Sequence, residues 1–381
     1  MKRTAWAEVD LDRVRHNIAC AQEKVGGNVR ICGVFKADAY GHGADKLSRI
    51  LYAEGLIAMA AVGKLSEMES MFAANPDNGM EVLLLGALET AEMERSVSEG
   101  KIPVGRAVFS VYNMQQFAAY EEAAERLGKK IRVHIRTDIW KSGMGLDFSE
   151  FRSREDEIFG AEHLDVCGLY CHLYSSYSDD RERIQSELGC FDDFVHSIDS
   201  EHRKRLTVHI MNSALVFGFP SYGYDMVRVG TAMYGLDSGD GGLLRPAMRI
   251  CATVFDTRSV EWNAPLSYKP PEGEECGHTR RRIARIMMGF CDCPLLLTQK
   301  DIRVWIKGRV FPLADDVCMD NLCIDITGAD DIEVGDTAVL LGEEGVTVEE
   351  ILARNGIDMI HGEWLSISMA RLNKVYIGEN A

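Results

Sequence analysis

Lys36 closes an apolar run over residues 29–35, and Asp38, Tyr40, Gly41, His42 and Gly43 follow it in the segment GVFKADAYGHG. A lysine at the carboxyl end of a buried strand cannot simply extend its ammonium back to water. It faces a pocket instead. There it can lose its proton and become an amine nucleophile suited to an aldehyde. The competing reading is a surface lysine where the strand frays, and position alone does not separate the two.

The elements that must carry this lysine repeat along the first 240 residues. Short apolar runs fall at 29–35, 56–61, 81–85, 107–110, 131–135, 166–171, 206–210 and 226–233, the fourth of them weak. Amphipathic stretches at 44–54, 62–73, 113–127 and 181–204 are long enough for helices. Eight short strands alternating with helices predict a closed parallel (β/α)8 barrel of the TIM type, in which chemistry sits at the strand carboxyl ends. The texture changes at the glycine-rich DSGDGGLLRP, residues 237–246. Beyond it, β-type runs at 248–256, 283–289, 302–306, 322–326 and 337–341 alternate with Gly and Asp turns, and only 348–355 reads as a helix. The expected organisation is a barrel over 1–240 followed by a mostly β C-terminal domain over 241–381.

Other polar residues end the barrel strands. Arg136 follows IRVHI, His172 follows GLYC, Asn212 and Ser213 follow TVHIM, and Arg228 lies in YDMVRVGTAMYG. Charges gathered at one rim are costly unless they meet a ligand or one another, so a lysine, a histidine and two arginines predict an anion. Hydroxyl, amide and glycine groups after the seventh and eighth strands suit a phosphate cradle. An aldehyde-bearing phosphate that forms an imine with lysine is pyridoxal 5'-phosphate.

The composition is that of a globular enzyme, with 46% hydrophobic and 27% charged residues. A net charge of −17 argues against a nucleic-acid partner. HTRRRIAR, residues 278–285, therefore reads as a solvated loop or a positive rim that draws carboxylates. No apolar stretch approaches membrane-spanning length, and no apolar run follows the opening MKRTAWAEVDLD, so neither a membrane segment nor a secretory leader is expected. The eleven cysteines are scattered, several within apolar strands, as in a reduced cytoplasmic protein. Cys291 and Cys293, near Cys276 and His278, suggest zinc only weakly, and no metal is expected.

The chain resembles the alanine racemase family. The resemblance rests on WAEVDLDRVRHNI, VFKADAYGHGA, SGMG, GLYCHL, HIMNSA, VRVGTAMYG, LSY, MGFCD and VCMDNLCID, which run from Trp6 to Asp325. It implies two-base proton transfer at the Cα of alanine held on pyridoxal phosphate. By this resemblance Lys36 holds the cofactor and is one base, and Tyr268, supplied by the partner of a homodimer, is the other. Tyr40, Ser213 and the Gly230 backbone reach the phosphate, with Asn212 beside them. His172 lies on or near the pyridine ring and contacts Arg228, which faces the ring nitrogen. Met319 and Asp320 help bind the substrate carboxylate across the dimer. Such a family makes a cell wall precursor, a D-amino acid.

The departures from the family pattern are specific. Arg136 stands where a carbamylated lysine is usual, Ile139, Trp140 and Lys141 look inserted, and Leu146 replaces an arginine that bonds the cofactor's phenolic oxygen. Arg136 or Lys141 could refill that gap, which makes Arg136 a substrate-binding candidate. Phe290 and Asp316 replace a tyrosine and an arginine, and Gly362 aligns with a tyrosine lining the methyl pocket. A vacated ring would admit serine, unless Trp364 or Trp140 fills the space. A serine or dual serine/alanine racemase, a non-catalytic pyridoxal phosphate-binding homologue and a decarboxylase on the same barrel are the competing readings.

Overall fold

The computed structural model describes residues 4–140, 142–236, 241–268, 280–359, 361–368 and 371–378. The chain divides into two units. One comprises Arg15–Ala39 and Gly43–Leu244, the other Met1–Val14, Tyr40–His42 and Arg245–Ala381.

All eight apolar runs of the first unit become strands: Arg30–Val34, Met59–Val62, Glu81–Leu84, Ala107–Val111, Ile131–Asp138, Leu164–Cys171, Thr207–His209 and Met226–Val229. They pair in parallel in the order eighth, first, second through seventh. Between the seventh and eighth strands the N–H of Asp225 donates to Val208 O (3.2 Å) and that of Arg228 to Met211 O (3.0 Å), so the barrel is nearly closed. The strands are nearly continuous apolar runs because a parallel sheet covered by helices is buried on both faces. The fourth, weak in sequence, is buried at every residue from Ala107 to Val111.

The expected helices form at Ala44–Ala53, Leu65–Ala74 and Met114–Leu127. The last is capped by the Asn113 side chain, which accepts from Gln116 N, and ends at Gly128, whose left-handed φ of 58° suits glycine. The stretch 181–204 forms two helices rather than one, Arg181–His196 and Ser200–Arg205. Asp199 caps the second by accepting from the N–H groups of Glu201 and His202, and this local bond competes with helix continuation.

The second unit is mostly β. The strand Ala5–Asp10 lies between Met248–Glu261, antiparallel, and Asn373–Ile377, parallel. Met248–Glu261 also pairs with Thr337–Leu341 and with Arg280–Ile286, which in turn pairs with Leu322–Asp325. Trp6, Cys251 and Val339 form part of its core. Two expectations need correction here. Besides the helix Val348–Asn355, this unit has helices at Pro294–Leu297 and His361–Ser368. The arginine-rich segment is not a solvated loop over its described part but a strand. Arg281 donates to Ala314 O, Arg282 to the carbonyls of Ala329 and Ile332, and Arg285 to Asn321 Oδ1. Their donors go to backbone and amide carbonyls within the unit. His278, Cys276 and Lys141 lie outside the described residues. Among the described residues no cluster suits a metal ion, and no helix is long and apolar enough to cross a membrane.

Candidate active site

In the barrel unit, Lys36 lies two residues past the end of the first strand, and the chain then turns the wrong way. Ala37, Asp38, Ala39 and Tyr40 take φ values of 51°, 54°, 58° and 51°, a left-handed helical turn without glycine. Each such residue costs about 1–2 kcal/mol, so the turn persists only because its surroundings fix it. Glu67 does much of this. Its carboxylate accepts from the N–H groups of Ala37 (2.7 Å), Gly63 (2.8 Å) and Lys64 (3.0 Å) and so joins the loops after the first two strands. Asp38 Oδ1 accepts from Ala44 N (2.8 Å), which ties the turn to the next helix. The sequence did not single out Glu67. Its only local signal is its place in the first turn of its helix, from which its carboxylate reaches back to the backbone N–H of Lys64 at the N-cap.

Arg136 lies in the fifth strand and is buried. It donates to the hydroxyls of Tyr112 (3.2 Å) and Tyr174 (2.9 Å), and its guanidinium lies over the Tyr112 ring. Tyr112 in turn donates to Leu85 O. Among the described residues the buried Nε of Arg136 has no partner. Leu146, where the family arginine is expected, is fully buried in a short strand paired with Thr137 and offers no polar group. The rebuilt loop between them is gathered by Asp138, which accepts from Trp140 N (3.0 Å), the Ser142 hydroxyl (2.7 Å) and Met144 N (3.3 Å). Burial pushes the Asp138 carboxyl up, but these donors outweigh it and hold it below the usual range. Trp140 is half exposed beneath the Arg183 guanidinium, and Trp364 is fully buried in the β unit.

Arg228 lies in the eighth strand and spends the donors of its two terminal nitrogens inside the barrel. It donates to His209 Nδ1 (2.8 Å) and to the carbonyls of His209 (3.1 Å), Cys171 (3.0 Å) and Ile210 (3.4 Å). His172 packs edge-on against Tyr174. Its pKa falls to about 3 through burial first, then through the charges of Arg228, Arg136 and Lys36. One neutral imidazole therefore feels all three cations of this rim. Ser213 Oγ accepts from Gly230 N (3.0 Å) and Ala232 N (3.2 Å), so its own O–H remains to donate. Asn212 caps the following helix and donates to Ser176 Oγ (2.7 Å).

Tyr40 is buried and groups with the second unit, where the Tyr376 hydroxyl donates to His42 O (3.0 Å). In the same unit Tyr268, Met319 and Asp320 come together. Tyr268 is 72% exposed, and its hydroxyl accepts from Met319 N (3.2 Å). Asp320 accepts from Arg371 (2.7 Å), which also pairs with Asp292 (3.2 Å). Phe290 N and Cys291 N donate to the carbonyls of Cys318 and Met319. A Cβ on Gly289 would lie 2.3 Å from the Met319 carbonyl carbon, so only glycine allows this approach. Gly362 is buried in the first turn of the His361–Ser368 helix.

A nearly closed parallel barrel with a lysine and two arginines at its rim, joined to a β unit that presents an exposed tyrosine beside a Met-Asp pair, defines a class of two-domain lysine enzymes. The comparisons name it. The alanine racemase N-terminal domain matches residues 9–238 and the C-terminal domain residues 247–376, so the chain belongs to the alanine racemase family. It is similar to alanine racemase 2 of Caldanaerobacter subterraneus, at 29% identity over 98% of this chain and 95% of that one. An alanine racemase of Desulfovibrio desulfuricans is 27% identical over 98% of each chain. Among solved structures, an alanine racemase of Clostridium difficile 630 superposes with a TM-score of 0.86, at 28% identity over 100% of this chain and 97% of that one.

Proposed function

We propose that this chain racemises alanine, a small amino acid, with pyridoxal phosphate as its cofactor. The observation that carries the reading is the rim of the barrel, where the charges of Lys36, Arg136 and Arg228 all act on the neutral ring of His172. The residues present fit the cofactor. The buried Nε of Arg136, which has no partner among the described residues, and the remaining Ser213 proton are donors suited to an anion. Lys36 would hold the aldehyde carbon, and Ser213, Asn212, Gly230 and Tyr40 would anchor the phosphate. The cofactor, when bound, withdraws electrons from the substrate Cα and acidifies its proton.

The chain's own groups do the rest. Racemisation removes a proton from one face of Cα and returns one to the other, which two opposed bases achieve without reorienting the substrate. Lys36 is one base, and the partner's Tyr268 is the other. A free phenol has a pKa near 10 and needs a neighbouring cation to act as a base. Arg228 would face the pyridine nitrogen as a donor whose proton is not available at neutral pH, and so would leave that nitrogen unprotonated. Arg136 offers the guanidinium that Leu146 cannot and would receive the substrate carboxylate, and the partner's Met319 and the partner's Asp320 would complete that pocket.

Borohydride trapping tests the cofactor assignment. Reduction of the cofactor-loaded protein should bleach its yellow colour and leave a pyridoxyl group on Lys36 in peptide maps, and Lys36→Ala should give neither. A pyridoxyl group on another lysine, or none on folded, loaded protein, contradicts the reading.

A further inference from the structure

A chain of hydrogen bonds runs from Arg228 into the barrel and ends on a residue that the mechanism does not use. Arg228 donates to His209 Nδ1 at 2.8 Å, and His209 Nε2 meets His134 Nδ1 at 3.0 Å. All three side chains are buried. A guanidinium has donors only, so His209 Nδ1 must accept. Both rings are neutral. Burial, then Arg132, Arg30 and Arg228, push His134 down to about 3, and burial, then Arg228, His134 and Arg30, push His209 well below its ordinary value. The one proton of His209 therefore sits on Nε2 and is donated to His134 Nδ1, which leaves the proton of His134 on its own Nε2.

Two further features hold this order. The Tyr170 ring stacks on His209, with centroids 5.0 Å apart and planes 5° apart, and lies 5.2 Å from the Arg228 guanidinium carbon. Its hydroxyl is fixed by Ser110, which bonds Leu84 O. His134 has room only because its neighbour on the sixth strand is Gly168, where a Cβ would lie 2.2 Å from His134 Cδ2. The register between the fifth and sixth strands shifts at this point, as Val133 faces Val166 and His134 faces Gly168. The irregularity places a residue without a side chain under the ring.

We infer that His134 is a positioning residue for racemisation: seated against Gly168, it fixes the tautomer of His209 and thereby the accepting nitrogen that holds the Arg228 guanidinium at the barrel rim. The inference rests on the racemase reading for its consequence in turnover, but the tautomer itself does not depend on that reading.

The test therefore has two arms. Solid-state 15N NMR of the cofactor-loaded protein, labelled at histidine and assigned with single variants, should show His209 protonated at Nε2 and bare at Nδ1. A His209 protonated at Nδ1 overturns the inference whether or not the protein racemises anything. In the second arm, His134→Leu removes the acceptor, and His134→Asn offers an amide oxygen near the place of Nδ1. His134→Leu should lower kcat for alanine on the order of tenfold to hundredfold with KM little changed, and the His209 signals should no longer show a single tautomer. His134→Asn should restore the tautomer and most of kcat. Equal losses in folded Leu and Asn variants would mean that His134 only fills space and would overturn the inference.

Discussion

Arg228 acts on three histidines together with their surroundings. Burial first, and then the charge of Arg228 with other nearby cations, lowers the proton affinity of His134, His172 and His209, which stay neutral in the folded protein. Below about pH 6.5 an unfolded chain takes up protons that these folded rings refuse, so the unfolded state binds more protons and stability falls as the pH falls. For His134 this loss continues down to about 3, at roughly 1.4 kcal/mol per pH unit. Urea unfolding followed across that window should show a steeper loss in the wild type than in His134→Asn, whatever their offset at neutral pH, and parallel slopes would contradict a buried neutral His134. The sequence displayed Lys36, Arg136, His172, Ser213 and Arg228 because a polar residue ending an apolar run is conspicuous. It did not display Tyr112, Asp138 or Arg371, whose partners are set by folding rather than by neighbours in the chain.

At the scale of elements, the left-handed turn after Lys36 is the part under strain, and Glu67 is its brace. Glu67→Gln replaces one accepting oxygen with a donor aimed at backbone N–H groups, which should cost about 1–3 kcal/mol. Hydrogen exchange at residues 37–39 should speed up in the cofactor-free variant. Exchange unchanged from wild type would mean that the turn is held by something else. Nothing in KADAY announces a left-handed turn, since alanine and aspartate ordinarily favour right-handed backbone. The strands were far more legible, because continuous apolar runs bounded by turns mark buried parallel strands directly. The strands Arg309–Pro312 and Asn373–Ile377 escaped because their burial is partial and their residues are mixed.

For the whole molecule, two-base racemisation as proposed takes two chains. Lys36 belongs to the barrel unit, whereas Tyr268, Met319 and Asp320 belong to the other, and the reading gives each barrel the partner's Tyr268. Mixing inactive Lys36→Ala chains with inactive Tyr268→Phe chains should restore activity, because one site of each mixed dimer regains both bases. Mixed dimers that form and stay inactive would contradict a shared site. Whatever the assembly, racemisation moves a proton at the Cα of alanine from one face to the other. The measurement is incubation of the pure protein with pyridoxal phosphate and L-alanine in deuterium oxide, followed by chiral separation and mass analysis, with L-serine in parallel. D-alanine bearing deuterium at Cα should form, and faster than D-serine. L-alanine that remains unlabelled and uninverted, or a clear preference for serine, would contradict the alanine racemase reading.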